Sequence, residues 1–150
     1  MNDLDLLAAY RATSWTVELP GGQARLRLDE SAPLHPRPLG IITAYNPASV
    51  PRSDKDNRAA NEELRRELER AGAAVYPALA HGTGEEAQEW TEPGFAAVGA
   101  ELPLLVTLGE RFGQNAIVWV GEAGEPALVV TRAGFCGARV GEILPTPRPE

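Results

Sequence analysis

The stretch that leaves this chain least freedom runs from residue 39 to residue 76. An apolar segment, an Asn-Pro stop, a polar loop, an amphipathic helical pattern and a second apolar segment follow one another there. Leu39 to Ala44 reads as a buried strand, and Pro47 after Tyr45-Asn46 forbids its continuation in a central position. Ser53 is a good N-cap, Asp56 stands where a carboxylate can reach back to it, and Asp54 suits the positive end of the helix dipole. Ala60, Leu64, Leu68 and Ala71 then recur at helical spacing, with Glu62, Glu63, Arg65, Arg66, Glu69 and Arg70 on the other sides. Gly72 stops the helix, and Ala73 to Tyr76 resumes as a strand. The order implies a right-handed crossover between parallel strands, which we expect to pair.

The rest of the chain is placed around that unit. Leu4, Leu7 and Ala8 predict a short helix over residues 3 to 12 with Asp3 as a candidate cap. Ser14 to Leu19 and Ala24 to Leu28 alternate on either side of Pro20-Gly21-Gly22 and predict a β-hairpin. Residues 31 to 38 contain three prolines and read as a loop. Residues 80 to 93, with Gly82, Gly84 and Trp90, have the polarity of a long loop or lid, and Glu92 stands just before Pro93. Phe95 to Gly99 is a further strand, and Leu102, Leu105, Leu108 and Phe112 stripe a second helix that Gly113 ends. Ala116 to Val120 is the most continuously apolar strand and is expected to be central, with one more strand over 127 to 131.

The expectation is therefore an α+β fold. A single sheet carries two main helices on one face, in a ferredoxin-like βαββαβ core preceded by a short helix and a β-hairpin, the alternative being another α+β layered arrangement in which the N-terminal hairpin extends the same sheet. One domain is expected over residues 1–144, with a disordered tail at 145–150.

Composition removes several function classes. The net charge is −7, and Lys55 is the only lysine. A nucleic-acid backbone would be repelled on average, so no nucleic-acid partner is expected. Cys136 is the only cysteine and His35 and His81 the only histidines, too few for an intrachain disulfide or the usual zinc sites; no metal is expected. The sequence shows no apolar run of membrane-spanning length and no signal-peptide pattern, which points to a cytoplasmic protein without membrane contact. No dinucleotide fingerprint, P-loop or Gly-x-Ser-x-Gly elbow occurs.

What remains is a set of neutral hydrogen-bonding groups at element ends. At about 100° per residue, Asn57 falls within the apolar stripe of the first main helix and Asn61 at its edge, and buried amides need partners. They either hold the loop from Asn46 to Arg52 or contact a ligand. Tyr45, Asn46, Ser49, Asn57, Asn61, Gln114 and Asn115, with Trp90 as an aromatic cover, form the candidate ligand-binding set, since amides recognise amides, nucleobases and sugars by paired donors and acceptors. Glu92 is the candidate proton-transfer group. Trp15 and Trp119 lie on predicted strands and are read as packing.

Thr43-Ala44-Tyr45-Asn46-Pro47 with Ser49, then Asn57, Asn61 and Leu64, then Trp90-x-Glu92, then Phe112-Gly113-Gln114-Asn115-Ala116 together resemble a bacterial family known as domain of unknown function 3293. The resemblance spans roughly residues 10 to 120. It implies a small stand-alone bacterial protein marked at the same polar positions, and it carries no activity, substrate or cofactor.

Two functions follow. One is a site for a small polar or nucleotide-like ligand at the strand-helix junction after Tyr45-Asn46-Pro47, with catalysis by Glu92 left open and the cofactor unknown. The alternative is a protein-interaction or homo-oligomeric module that uses a sheet edge.

Overall fold

The computed structural model describes residues 2–31, 34–83 and 89–145, without the side chain of Thr83. The tail expected at 145–150 falls outside them from residue 146 onward. Helix α1, Asp3–Ala12, leads into the hairpin of β1, Ser14–Leu19, and β2, Gly22–Arg27, as predicted. After the proline-rich loop come β3, Leu39–Ile42, and α2, Asp54–Arg70. β4, Ala74–Thr83, β5, Glu89–Val98, α3, Leu102–Arg111, β6, Ala116–Val120, β7, Pro126–Val130, and β8, Ile143–Leu144, complete the order. The fold is α+β.

Among the described residues the strands form one curled sheet in the order β2-β1-β4-β5-β3-β6-β7-β8, and every neighbouring pair is antiparallel. β3 and β4 therefore do not pair, contrary to expectation. β5 lies between them, with Ile41 opposite Ala96 on one side and Tyr76 opposite Ala96 on the other. The inserted strand arises because β4 and β5 form one long hairpin, in which Ala80 pairs with Glu92 and Gly82 with Trp90. Residues 80–83 and 89–93, read as a loop from their polarity, are thus strand. Their polar and aromatic side chains are tolerated because an antiparallel sheet can leave part of its faces to water or to a cleft, and Ala80, Trp90 and Glu92 line such a cleft beside α1.

Helices α2 and α3 cover one face. Leu64, Leu68, Leu105 and Leu108 pack there against Ile42, Ala97, Ile117 and Val129. Of the predicted stripe of α2, Leu64 and Leu68 are buried together with Asn57 and Asn61, while Ala60 is half-buried and Ala71, at the C-cap, is exposed. Ser53 accepts from the Asp56 amide at 3.1 Å, closing the predicted cap. Arg65 bridges Glu62 and Glu69 on the solvent side, exposed pairs of the kind that water screens and that add little to stability.

The other face curls around α1. Leu7 packs with Trp15, Val17, Ile41, Ala96, Val118 and Val130, and Phe135 from the segment after β7 closes this second core. The cap of α1 is Asn2, whose Oδ1 accepts from Asp5 N at 2.9 Å. Asp3, the predicted cap, instead accepts from Arg132 at 3.0 Å and from the Cys136 amide at 2.9 Å, tying α1 to the C-terminal segment. No helix among the described residues is long and apolar enough to cross a membrane.

Candidate functional site

The loop after β3 is built around Asn57. Asn57 Oδ1 accepts from Asn46 N at 2.9 Å and from Arg52 Nε at 2.9 Å, while its Nδ2 donates to Asn46 Oδ1 at 2.8 Å. Asn46 Oδ1 also accepts from Arg52 N at 3.1 Å, and the Arg52 guanidinium reaches Ala44 O at 3.1 Å. These bonds hold a backbone that a free chain would avoid. Asn46, Ala48 and Ser49 have φ of 43°, 54° and 62°, and left-handed conformations at non-glycine residues cost about 1–2 kcal/mol each.

Asn61 is fixed one turn further along α2, accepting from Ala44 N at 2.8 Å and donating to Pro93 O at 3.0 Å. Gln114 donates to Tyr45 O at 3.1 Å. Asn115 donates to Ser49 Oγ at 3.0 Å and accepts from Arg132 Nε at 2.6 Å. Of the two buried amides expected to hold the loop from Asn46 to Arg52, Asn57 does so, whereas Asn61 ties the end of β3 to Pro93 instead, because it sits one turn further along α2, opposite Ala44.

The structure divides the predicted residues between the two faces of the sheet. Asn46, Ser49, Trp90 and Glu92 line a cleft of about 370 Å³ beside α1, together with Tyr10 and Trp15. Gln114 lines a narrow gap of about 40 Å³ shared with Glu92 and Tyr10. Asn115 supports the cleft through Ser49. Tyr45 and Asn61 border a separate groove of about 780 Å³ beside α2. Asn57 lines neither, and acts on the cleft by orienting Asn46.

Glu92 is the unusual member. Trp90, Glu92, Gly94 and Ala96 alternate onto the α1 face of β5, and Ala96 at that register is fully buried core. A carboxyl therefore stands two same-face steps from the core residue Ala96. No ion pair among the described residues includes it. Burial pushes its pKa up to about 7, with the Asn46 side chain pulling the other way. Burial and the Glu92 charge both raise the Tyr10 phenol well above the ordinary tyrosine range, which keeps it a neutral hydroxyl. Trp90, 36% exposed, lies against the bare backbone of Gly82, where any Cβ would strike the indole ring. It forms one wall of the cleft.

Sequence reasoning missed Tyr10, and it placed Trp15 in packing alone. The signal for Tyr10 was present, because it follows Leu6 and Leu7 at spacings of four and three along α1 and so shares their face. What could not be seen was that α1 packs on β4, which brings Tyr10 to a cleft bordered by β5.

A model of the family described as protein of unknown function (DUF3293) matches residues 42–117, half of the chain. The match spans α2, the β4–β5 hairpin and α3, and takes in every predicted site residue. No curated protein and no solved structure matches the chain significantly. The chain belongs to the DUF3293 family.

Proposed function

We propose that this DUF3293 protein binds a small polar molecule in the cleft between α1 and β5. The observation that carries the reading is Glu92, a carboxyl on a core-facing register of a strand, without an ion pair among the described residues and open to a cleft that a small molecule can fill. Burying such a group destabilises the empty protein, and a ligand offering hydrogen bonds to it recovers part of that loss. Asn46, Tyr10 and Ser49 add polar contacts beside it, and Trp90 and Trp15 add apolar walls, a composition common to small-molecule sites. A carboxyl that titrates near neutrality is also suited to proton transfer, so Glu92 is the residue on which a catalytic role would rest.

We also read the six central elements β3-α2-β4-β5-α3-β6 as ferredoxin-like. Their strands lie in the order β4-β5-β3-β6 with both helices packed into one core, which supports that reading. On this reading β1, β2 and α1 form an N-terminal addition that builds one wall of the cleft.

The test is a metabolite library screened by thermal shift and by the NMR signal of the Trp90 indole N–H. At least one compound is expected to raise the melting temperature and move that signal. If no compound does both, the binding reading is abandoned.

A further inference from the structure

Asn57 also dictates which end of the Asn46 amide faces the cleft. Asn57 Oδ1 is identified as oxygen because it accepts from a backbone N–H, and Asn46 Oδ1 is identified likewise by the Arg52 N–H. Both bonds to the Asn46 oxygen come from the loop and from α2, so its Nδ2 is the atom that hydrogen-bonds the Glu92 side chain, and the second hydrogen on that nitrogen remains for a ligand. The cleft thus presents a fixed donor, Asn46 Nδ2, next to an acceptor, the Glu92 carboxyl.

Among the described residues, the lining of this cleft contains no arginine, lysine or histidine. Two arginines of the supporting segments are already engaged, Arg52 with Ala44 and Asn57, and Arg132 with Asn115 and Asp3. A phosphate or carboxylate entering the cleft would meet a carboxyl and no positive partner, which disfavours it strongly in a partly desolvated space. The walls add a flat aromatic surface at Trp90.

Resting on the binding reading above, we infer that the cleft selects an uncharged planar nitrogen heterocycle carrying a lactam edge, a ring C=O beside a ring N–H, as in a pyrimidinone or an oxopurine base. The ring C=O accepts from Asn46 Nδ2, the ring N–H donates to Glu92, and the ring face lies along Trp90. Nucleotides, with their phosphates, are excluded by the same charge argument.

The test titrates the wild-type protein with uracil, hypoxanthine and 2-pyridone, and with 1-methyl-2-pyridone and uridine monophosphate as controls, by ligand-detected NMR and tryptophan fluorescence. At least one free lactam should bind, 2-pyridone at least tenfold more tightly than its N-methyl analogue, and uracil more tightly than uridine monophosphate. Asn46→Asp keeps the oxygen that faces Asn57 and replaces the donor with an acceptor, and it should weaken the bound lactam at least tenfold in a protein that still melts cooperatively. Equal binding of the methylated analogue, or preference for the monophosphate, overturns the inference and needs no variant. If the library screen finds a ligand of another class while every lactam fails, this inference falls and the binding reading stands. If nothing binds the cleft, both fall.

Discussion

Asn57 and Asn46 are joined by two hydrogen bonds in opposite senses, Asn46 N to Asn57 Oδ1 at 2.9 Å and Asn57 Nδ2 to Asn46 Oδ1 at 2.8 Å. A side chain on the buried stripe of α2 thereby fixes both the backbone and the side chain of the residue that enters the cleft. Removing it should release the three left-handed residues at Asn46, Ala48 and Ser49. Asn57→Ala is expected to destabilise the fold by about 1–3 kcal/mol, the range for a buried hydrogen-bonding group. Urea melts measure this, and a loss under about 0.5 kcal/mol, the scatter of surface substitutions, would contradict it.

Glu92 gives the protein a specific pH dependence. Its folded-state pKa is raised from 4.5 to about 7 by burial, so the folded chain holds a proton that the unfolded chain has released in that window. Stability from this group is fully present below about pH 4.5 and is lost as pH rises through 7. At about 1.4 kcal/mol per unit, the loss amounts to roughly 3 kcal/mol at most. Glu92→Gln should therefore be more stable than wild type at pH 8 and equal to it at pH 4, as read from denaturation at both values. Parallel curves for the two proteins would show that the carboxyl is not desolvated.

Leu64 and Leu68 are fully buried between α2 and the sheet. Truncation of either to alanine is expected to cost about 2–5 kcal/mol, transfer and cavity contributions together. Glu63 pairs with Arg111 at the surface, 3.1 Å apart, and Glu63→Ala should change stability by less than about 1 kcal/mol. Comparison of the three melts decides whether the helix faces are assigned correctly.

Of the three tryptophans, Trp15 is 6% exposed and Trp90 is 36% exposed. Acrylamide should quench a component of the fluorescence that Trp90→Phe removes. Unchanged quenching in that variant would mean that Trp90 does not stand at the mouth of the cleft.

The sequence by itself determined the elements wherever one physical signal dominates. The Ser53 cap and the Asn57-Asn61-Leu64-Leu68 stripe set α2, Pro20-Gly21-Gly22 set the first hairpin, and Gly113 ended α3, because caps, turns and amphipathic periods act within a few residues. The same local logic led to the amides Asn46, Asn57 and Asn61 as a group that organises one turn. Tertiary structure decided three further things. It made residues 80–83 and 89–93 strand, because pairing with β1 on one side and within the β4–β5 hairpin outweighs their polarity. It placed β5 between β3 and β4, an arrangement set by long-range pairing that neither strand's own pattern encodes. It also laid α1 on β4, beside β5, so that Tyr10 and Glu92, 82 residues apart in the chain, meet in one cleft while Tyr45 and Asn61 face another. Which polar groups converge depends on how distant elements stack, and stacking is settled by the fit of whole faces rather than by any short run of residues.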